Sequence, residues 1–151
     1  MSESILNNLR DDHRNISMLI EQIQVERDVA QKKDLYLQFK TACLLHMEAE
    51  ELTIYNHLIE DVYEDEAEET AQHCTQDHFQ IKQIITYLDN LSIENPEWDM
   101  TFQSLKEKIE THIEEEETTL FEEVKQDFSR DELLDFGEEF EDTKSSLSSQ
   151  I

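Results

Sequence analysis

Apolar residues at Leu6, Leu9, Ile16, Ile20 and Ile23 recur at steps of three and four, which predicts an amphipathic helix from about Ser4 to Arg27. His13 falls on the same stripe. A second helix is predicted from about Lys32 to Ile59, with Leu35, Phe39, Ala42, Leu45 or His46, Glu50, Ile54 and Leu58 facing inward. A third, from about Glu66 to Leu91, lines up Ala71, Cys74, His78, Ile81, Ile85 and Leu88, and a fourth, from about Glu97 to Phe128, lines up Phe102, Leu105, Ile109, His112, Glu116 and Leu120. A short fifth helix is expected from about Arg130 to Lys144: Ser129 with Glu132 forms a capping box, and Leu133, Phe136, Gly137 and Phe140 make an apolar edge. Residues 145–151 offer little to bury and are expected to fray as a flexible tail.

Each of the four long helices thus carries a histidine in the middle of its apolar stripe. In an up-down-up-down bundle, residues on neighbouring antiparallel helices share a height when the turn lies midway between them in sequence. The midpoint of His13 and His46 falls between Val29 and Ala30, within a polar run; that of Glu50 and His78 falls on Glu64; that of His78 and His112 falls on Asn95, just before the single proline. All three are expected turns, so the four histidines should meet at one level. Glu50 and Glu116 follow His46 and His112 by four residues, which keeps each pair on one helix face, about 6 Å apart along the axis. The sequence also repeats itself. Asp12-His13-Arg14-Asn15-Ile16 parallels Asp77-His78-Phe79-Gln80-Ile81, and the stretch from His46 to Tyr55 parallels that from His112 to Phe121. Two similar helical hairpins, related by an approximate twofold, are the expectation.

Composition supports this reading. One Gly and one Pro in 151 residues leave almost no tight-turn chemistry for a hairpin-rich β fold, so an all-α chain is expected. Residues 1–128 should form the bundle and 129–144 a helix capping one end. The formal net charge of −26 repels phosphate backbones and anionic membrane surfaces, which disfavours nucleic acid and membrane partners. No run of 18 apolar residues exists and the first residues have no basic segment followed by an apolar one, so a cytoplasmic location is expected. Cys43 and Cys74, both within helical patterns, are read as reduced packing residues, with Cys74 close enough to the polar stripe for a redox role.

Four imidazoles and two carboxylates cost several kcal/mol each to bury without partners, and bound cations would compensate them. Six donors exceed one tetrahedral zinc, whereas two six-coordinate metals bridged by both carboxylates and an oxo or hydroxo group use them all and leave about two positions open. Imidazole and carboxylate donors without thiolates suit iron best, with manganese or zinc as substitutes. Ferritin-like proteins use Glu-x-x-His on two helices, a pattern absent from this set.

These residues resemble the hemerythrin-like family of HHE cation-binding domains, whose signature is a histidine on the first and third helices and His-x-x-x-Glu on the second and fourth. The resemblance covers roughly the first 125 residues, including Ile54-Tyr55 and Leu120-Phe121 after the two combs. It implies a non-haem di-iron centre with His13, His46, His78 and His112 as terminal ligands and Glu50 and Glu116 as bridges. Oxygen-carrying members have a further histidine one turn away on the third helix. Here the turn-neighbours of His78 are Cys74 and Lys82, and His73 is rotated from it by about 140°. The set is therefore more similar to the branch associated with iron-centre repair, nitric oxide or peroxide chemistry, and iron or oxygen sensing. Binding or sensing of dioxygen, nitric oxide or iron is the leading expectation, and a redox enzyme acting on peroxide or nitric oxide, or in iron-centre repair, is the alternative. A metal-free interaction module would require all six polar core residues to be accidental. His57 and His73 lie outside the repeat and are read as ordinary flanking residues; Tyr55 and Phe121 are read as core. Glu51 and Glu117 sit about 100° round from the bridging glutamates, as weaker supports for the ligands.

Overall fold

The computed structural model describes residues 4–149. Among them there are helices and connecting turns and no strand. The elements are α1 (Ile5–Val25), α2 (Val29–Leu52), α3 (Ile54–Glu60), α4 (Asp65–Asp89), α5 (Pro96–Glu115), a π-helical turn (Glu116–Leu120), α6 (Phe121–Asp127) and α7 (Arg130–Ser148). Together they form the expected four-rod bundle. α1 and α4 are single helices, α2 with α3 makes the second rod, and α5 with the π turn and α6 makes the fourth.

The ends of the rods are set by local chemistry. Ser4 caps α1 by accepting from the Leu6 amide, and Asp28 caps α2 by accepting from the Gln31 amide. Asn95 accepts from the Glu97 amide with Pro96 in the first helical position, where a missing N–H costs nothing. Ser129 and Glu132 form the reciprocal capping box at the start of α7. α7 runs to Ser148, so Ser145 to Ser148, expected to fray, are helical; Gln150 and Ile151 lie outside the described residues.

Two of the expected continuous helices are interrupted just past the inward glutamates. At Thr53 the backbone leaves helical geometry (φ −115°, ψ −92°) while its buried hydroxyl donates to the Ala49 carbonyl at 2.7 Å, a side-chain bond that competes with the helical ladder. In the fourth rod the turn from Glu116 to Leu120 widens to π geometry, and the Phe121 amide reaches back to the Glu116 carbonyl. Each irregularity changes the rotation of the residues that follow without ending the rod.

The apolar stripes of α1, α4 and α5 are buried as their spacing predicts. In α2 the buried line is rotated: Tyr36, Phe39, Cys43, Met47 and Ala49 are buried, while Leu35, Ala42 and Leu45 are only half-buried. The buried residues form two clusters. One joins Ile5, Leu9, Ile54, Leu58, Leu120, Phe121 and the inner edge of α7. The other lies towards the opposite end, around Phe39, Ile85, Trp98 and Phe102, where Trp98 and Phe102 stack at 5.1 Å. Cys43 and Cys74 are free thiols in different clusters, and burial pushes the Cys43 thiol up to about 12. No helix among the described residues is long and apolar enough to cross a membrane.

Candidate metal centre

A layer of buried polar side chains separates the two apolar clusters. His13 comes from α1, His46 and Glu50 from α2, His78 from α4, His112 from α5 and Glu116 from the first position of the π turn. All six residues are at most 5% exposed, and both glutamates are fully buried. Their possible ligand atoms fall into two groups, each lying within 4.8 Å: His13, His46, Glu50 and Glu116 in one, and His78, His112, Glu50 and Glu116 in the other. Each hairpin supplies one pair of histidines, and the same two glutamates belong to both groups.

The four rings are oriented alike. His13 Nδ1 lies 2.7 Å from Glu117 Oε2, His46 Nδ1 2.7 Å from Asp12 Oδ2, His78 Nδ1 2.9 Å from Glu51 Oε2, and His112 Nδ1 3.0 Å from Asp77 Oδ2. A carboxylate only accepts, so Nδ1 carries the proton in each pair and Nε2 turns inward. The same arrangement fixes metal-ligating histidines generally, since the outer carboxylate sets the tautomer and makes the ring a better donor. Each carboxylate has a cation beside it in turn: Arg10 Nε 4.0 Å from Glu117, Lys144 2.7 Å from Asp12, Lys82 3.6 Å from Glu51 and Lys108 2.9 Å from Asp77.

Inside the layer the donors crowd one another. Glu116 Oε1 is 3.1 Å from His13 Nε2 and its Oε2 is 3.2 Å from His112 Nε2, while His78 Nε2 and His112 Nε2 face each other at 3.1 Å. Glu50 Oε1 lies 3.1 Å from His46 Nε2 and 3.2 Å from His78 Nε2, but neither approach has hydrogen-bonding geometry. His46 Nε2 and both Glu50 oxygens are therefore buried without a hydrogen-bond partner. Orphaned polar atoms of this kind are rare and costly, and a cation among them removes the cost. The donor set fits a bound metal.

Protonation tells the same story for the metal-free chain. Burial, and next the facing Glu116 carboxylate, push the Glu50 carboxyl up. Burial works on Glu116 too, but the adjoining Glu50 carboxyl and the His112 and His13 rings hold it well below the usual carboxylate range. Burial opposes charge on His112, yet the Asp77 and Glu116 carboxylates beside it outweigh that and push the ring up to about 10; His13 is raised likewise by Glu116, and His78 by the Glu50 and Glu51 carboxylates. Protons thus occupy the layer where cations would otherwise balance the carboxylates. Groups raised on folding stabilise the native state below their unfolded values and lose that effect as pH rises through the folded values. The melting temperature of metal-free protein should therefore fall between about pH 6.5 and pH 10, the interval spanned by His112. Because a metal displaces these protons, the rise in melting temperature on adding metal should grow over the same interval. Calorimetry of both forms across that range checks it; a flat metal-free profile contradicts it.

Three contributors stand out only in the structure. Asp12 and Asp77 each precede a histidine of their own hairpin but support the other one, so the repeated Asp-His pairs were their signal in the sequence. Tyr55 is fully buried; its hydroxyl donates to Glu116 Oε2 and lies 3.2 Å from His78 Nε2. Its counterpart Phe121 has no hydroxyl, so this feature breaks the twofold. Burial and the Glu116 and Glu50 charges push the Cys74 thiol upwards, which keeps it protonated and unsuited to act as a thiolate. His73 is exposed and bonds Glu115 at 3.0 Å, while His57 stacks on Phe136 at 4.0 Å and joins α3 to α7 through Glu139.

Comparison with known proteins agrees with this geometry. The profile of the hemerythrin HHE cation-binding domain matches residues 4–124. A protein of Nostoc sp. (strain PCC 7120 / SAG 25.82 / UTEX 2576) named DNA nickase is 22% identical over 143 residues, covering 95% of this chain and 40% of the relative. This chain thus spans well under half of that relative's length. No solved structure matches it significantly.

Proposed function

The chain belongs to the hemerythrin HHE cation-binding domain family, and from that premise we propose that it holds a non-haem di-iron centre that binds or senses dioxygen, nitric oxide or iron itself. His13, His46, His78 and His112 serve as terminal ligands through Nε2, and Glu50 and Glu116 as bridges. The observation that carries this reading is the sharing of both buried glutamates by two histidine pairs, with three of the buried donor atoms lacking any other partner. When bound, such a centre supplies Lewis-acid and one-electron redox chemistry to a small ligand.

The chain's own residues prepare the site for this. The four outer carboxylates keep every Nδ1 protonated and every Nε2 free to coordinate. Tyr55 holds one oxygen of Glu116 and stands beside His78, on the side where α4 offers Cys74 in place of a second histidine. Leu120, Phe121, Ile16 and Ile81 are buried around the layer and exclude water. The Tyr55 hydroxyl is also the feature that favours the enzyme alternative, since a buried O–H beside the ligands can give a proton to a reduced ligand. DNA cleavage, suggested by the relative's name, is opposed by the net charge of −26, which repels a phosphate backbone.

Metal analysis with optical spectra of reduced, oxygenated and nitrosylated protein tests the proposal. About two irons per chain and a spectrum altered by one of the gases are expected from the donor count. Repeated turnover of peroxide or nitric oxide with an electron donor would move the assignment to the enzyme, and protein that takes up no metal would overturn both.

A further inference from the structure

All six candidate ligands lie within the family-matched residues 4–124, whereas α7 starts beyond them at Arg130. α7 nevertheless reaches one ligand. Lys144 Nζ donates to both oxygens of Asp12, at 2.7 and 2.9 Å, and Asp12 accepts from His46 Nδ1 at 2.7 Å. The fully buried Phe140 meets the edge of the His46 ring, with centroids 5.8 Å apart and planes at 79°, and Lys144 lies over Phe140 at 5.2 Å. One turn before Asp12, the Asn8 side chain donates to the Gly137 carbonyl at 3.1 Å in a buried bond that ties α1 to α7. The carboxylates behind His13, His78 and His112 find their cations on the bundle helices themselves, at Arg10, Lys82 and Lys108.

We infer that α7 is a working part of the metal centre, with Lys144 a positioning residue that holds Asp12, and through it the His46 ring, so that Nε2 faces the other donors. The inference rests on the metal-binding reading above. Asp12 sits near the surface, with a side chain 18% exposed, and without Lys144 its carboxylate is free to turn towards water. His46 would then lose the acceptor that fixes its tautomer and its angle. Phe140 closes the same ring from the side and keeps the Asp12 bond dry. Coupling between two sites is reciprocal, so a metal on His46 also tightens α7.

The sign of one measurement separates positioning from mere charge. Removing a lysine near a cation site favours cation binding on Coulomb grounds alone, whereas losing a positioning residue weakens it. Full-length protein stripped with a chelator is titrated with Co²⁺ alone, as the wild type, Lys144→Met, Lys144→Arg and Lys125→Met, the last removing a distant exposed lysine. Lys144→Met is expected to bind Co²⁺ about three- to tenfold more weakly and Lys144→Arg to recover most of that loss through its own carboxylate pairing. Lys125→Met should match the wild type. Co²⁺ should also slow amide exchange across residues 137–144 in the wild type and not in Lys144→Met. Equal or tighter binding by Lys144→Met, or an α7 that does not respond to Co²⁺ in the wild type, would overturn the inference while leaving the metal centre standing. A wild type that binds no Co²⁺ would overturn both.

Discussion

Glu50→Gln should raise the melting temperature of the metal-free protein while removing most of the stabilisation that metal provides. Glu50 is fully buried, both its oxygens lack hydrogen-bond partners, and it faces a second buried carboxylate, Glu116. In the folded metal-free chain it holds its proton to an unusually high pH, whereas in the unfolded chain it ionises freely. That difference opposes folding at neutral pH. The amide has nearly the same shape, carries no charge and donates a proton towards Glu116. A gain of about 1–3 kcal/mol is expected, or several degrees in a chain of this size. With metal present the order reverses, because an amide neither bridges two cations nor neutralises them. Paired melting curves with and without Fe²⁺ or Co²⁺ test both halves. A variant less stable than the wild type in both forms would argue that Glu50 is a structural acid with no part in metal binding.

His46→Ala should lower bound metal and thermal stability together. Losing one of the four donors grouped as His13, His46, Glu50 and Glu116 should weaken binding by about a hundredfold or more, and binding energy is folding energy in a site that the unfolded chain lacks. At a fixed free-metal level, a hundredfold loss corresponds to about 2.7 kcal/mol, or about 5–11 °C in melting temperature. In the metal-free chain the same substitution should cost much less. It opens a cavity beside Phe140, but it also removes a ring whose Nε2 is buried without a partner. Metal stoichiometry measured beside the two melting curves decides the matter: unchanged iron content with an unchanged holo melting temperature would exclude His46 from the centre.

The bundle was legible because helical periodicity is local. Every position on the stripes proposed for α1, α4, α5 and α7 is buried, and only the α2 stripe needed rotating, since Tyr36 and Cys43 compete with Leu35 and Ala42 on similar hydrophobicity. The candidate ligands were legible for a further reason. Polar residues inside an apolar stripe stand out, and their equal spacing from the turns put them at one height.

The outer partners obey no such rule. Glu51 and Glu117 were weak candidates at about 100° from their neighbours, yet each bonds a histidine on an adjacent rod, an arrangement set by how the rods are rotated against each other. Asp12 and Asp77 act across to the second histidine of the hairpin for the same reason.

The sequence by itself determined the helices, their antiparallel order and the level at which six donors meet, because each depends on residue spacing along one chain. Only the tertiary structure decided which nitrogen of each ring faces inward, that Tyr55 joins the layer past the break at Thr53, and that α7 reaches His46. Those features depend on directions between packed helices, and contacts such as Lys144 with Asp12, 132 residues apart, leave no trace in any local pattern.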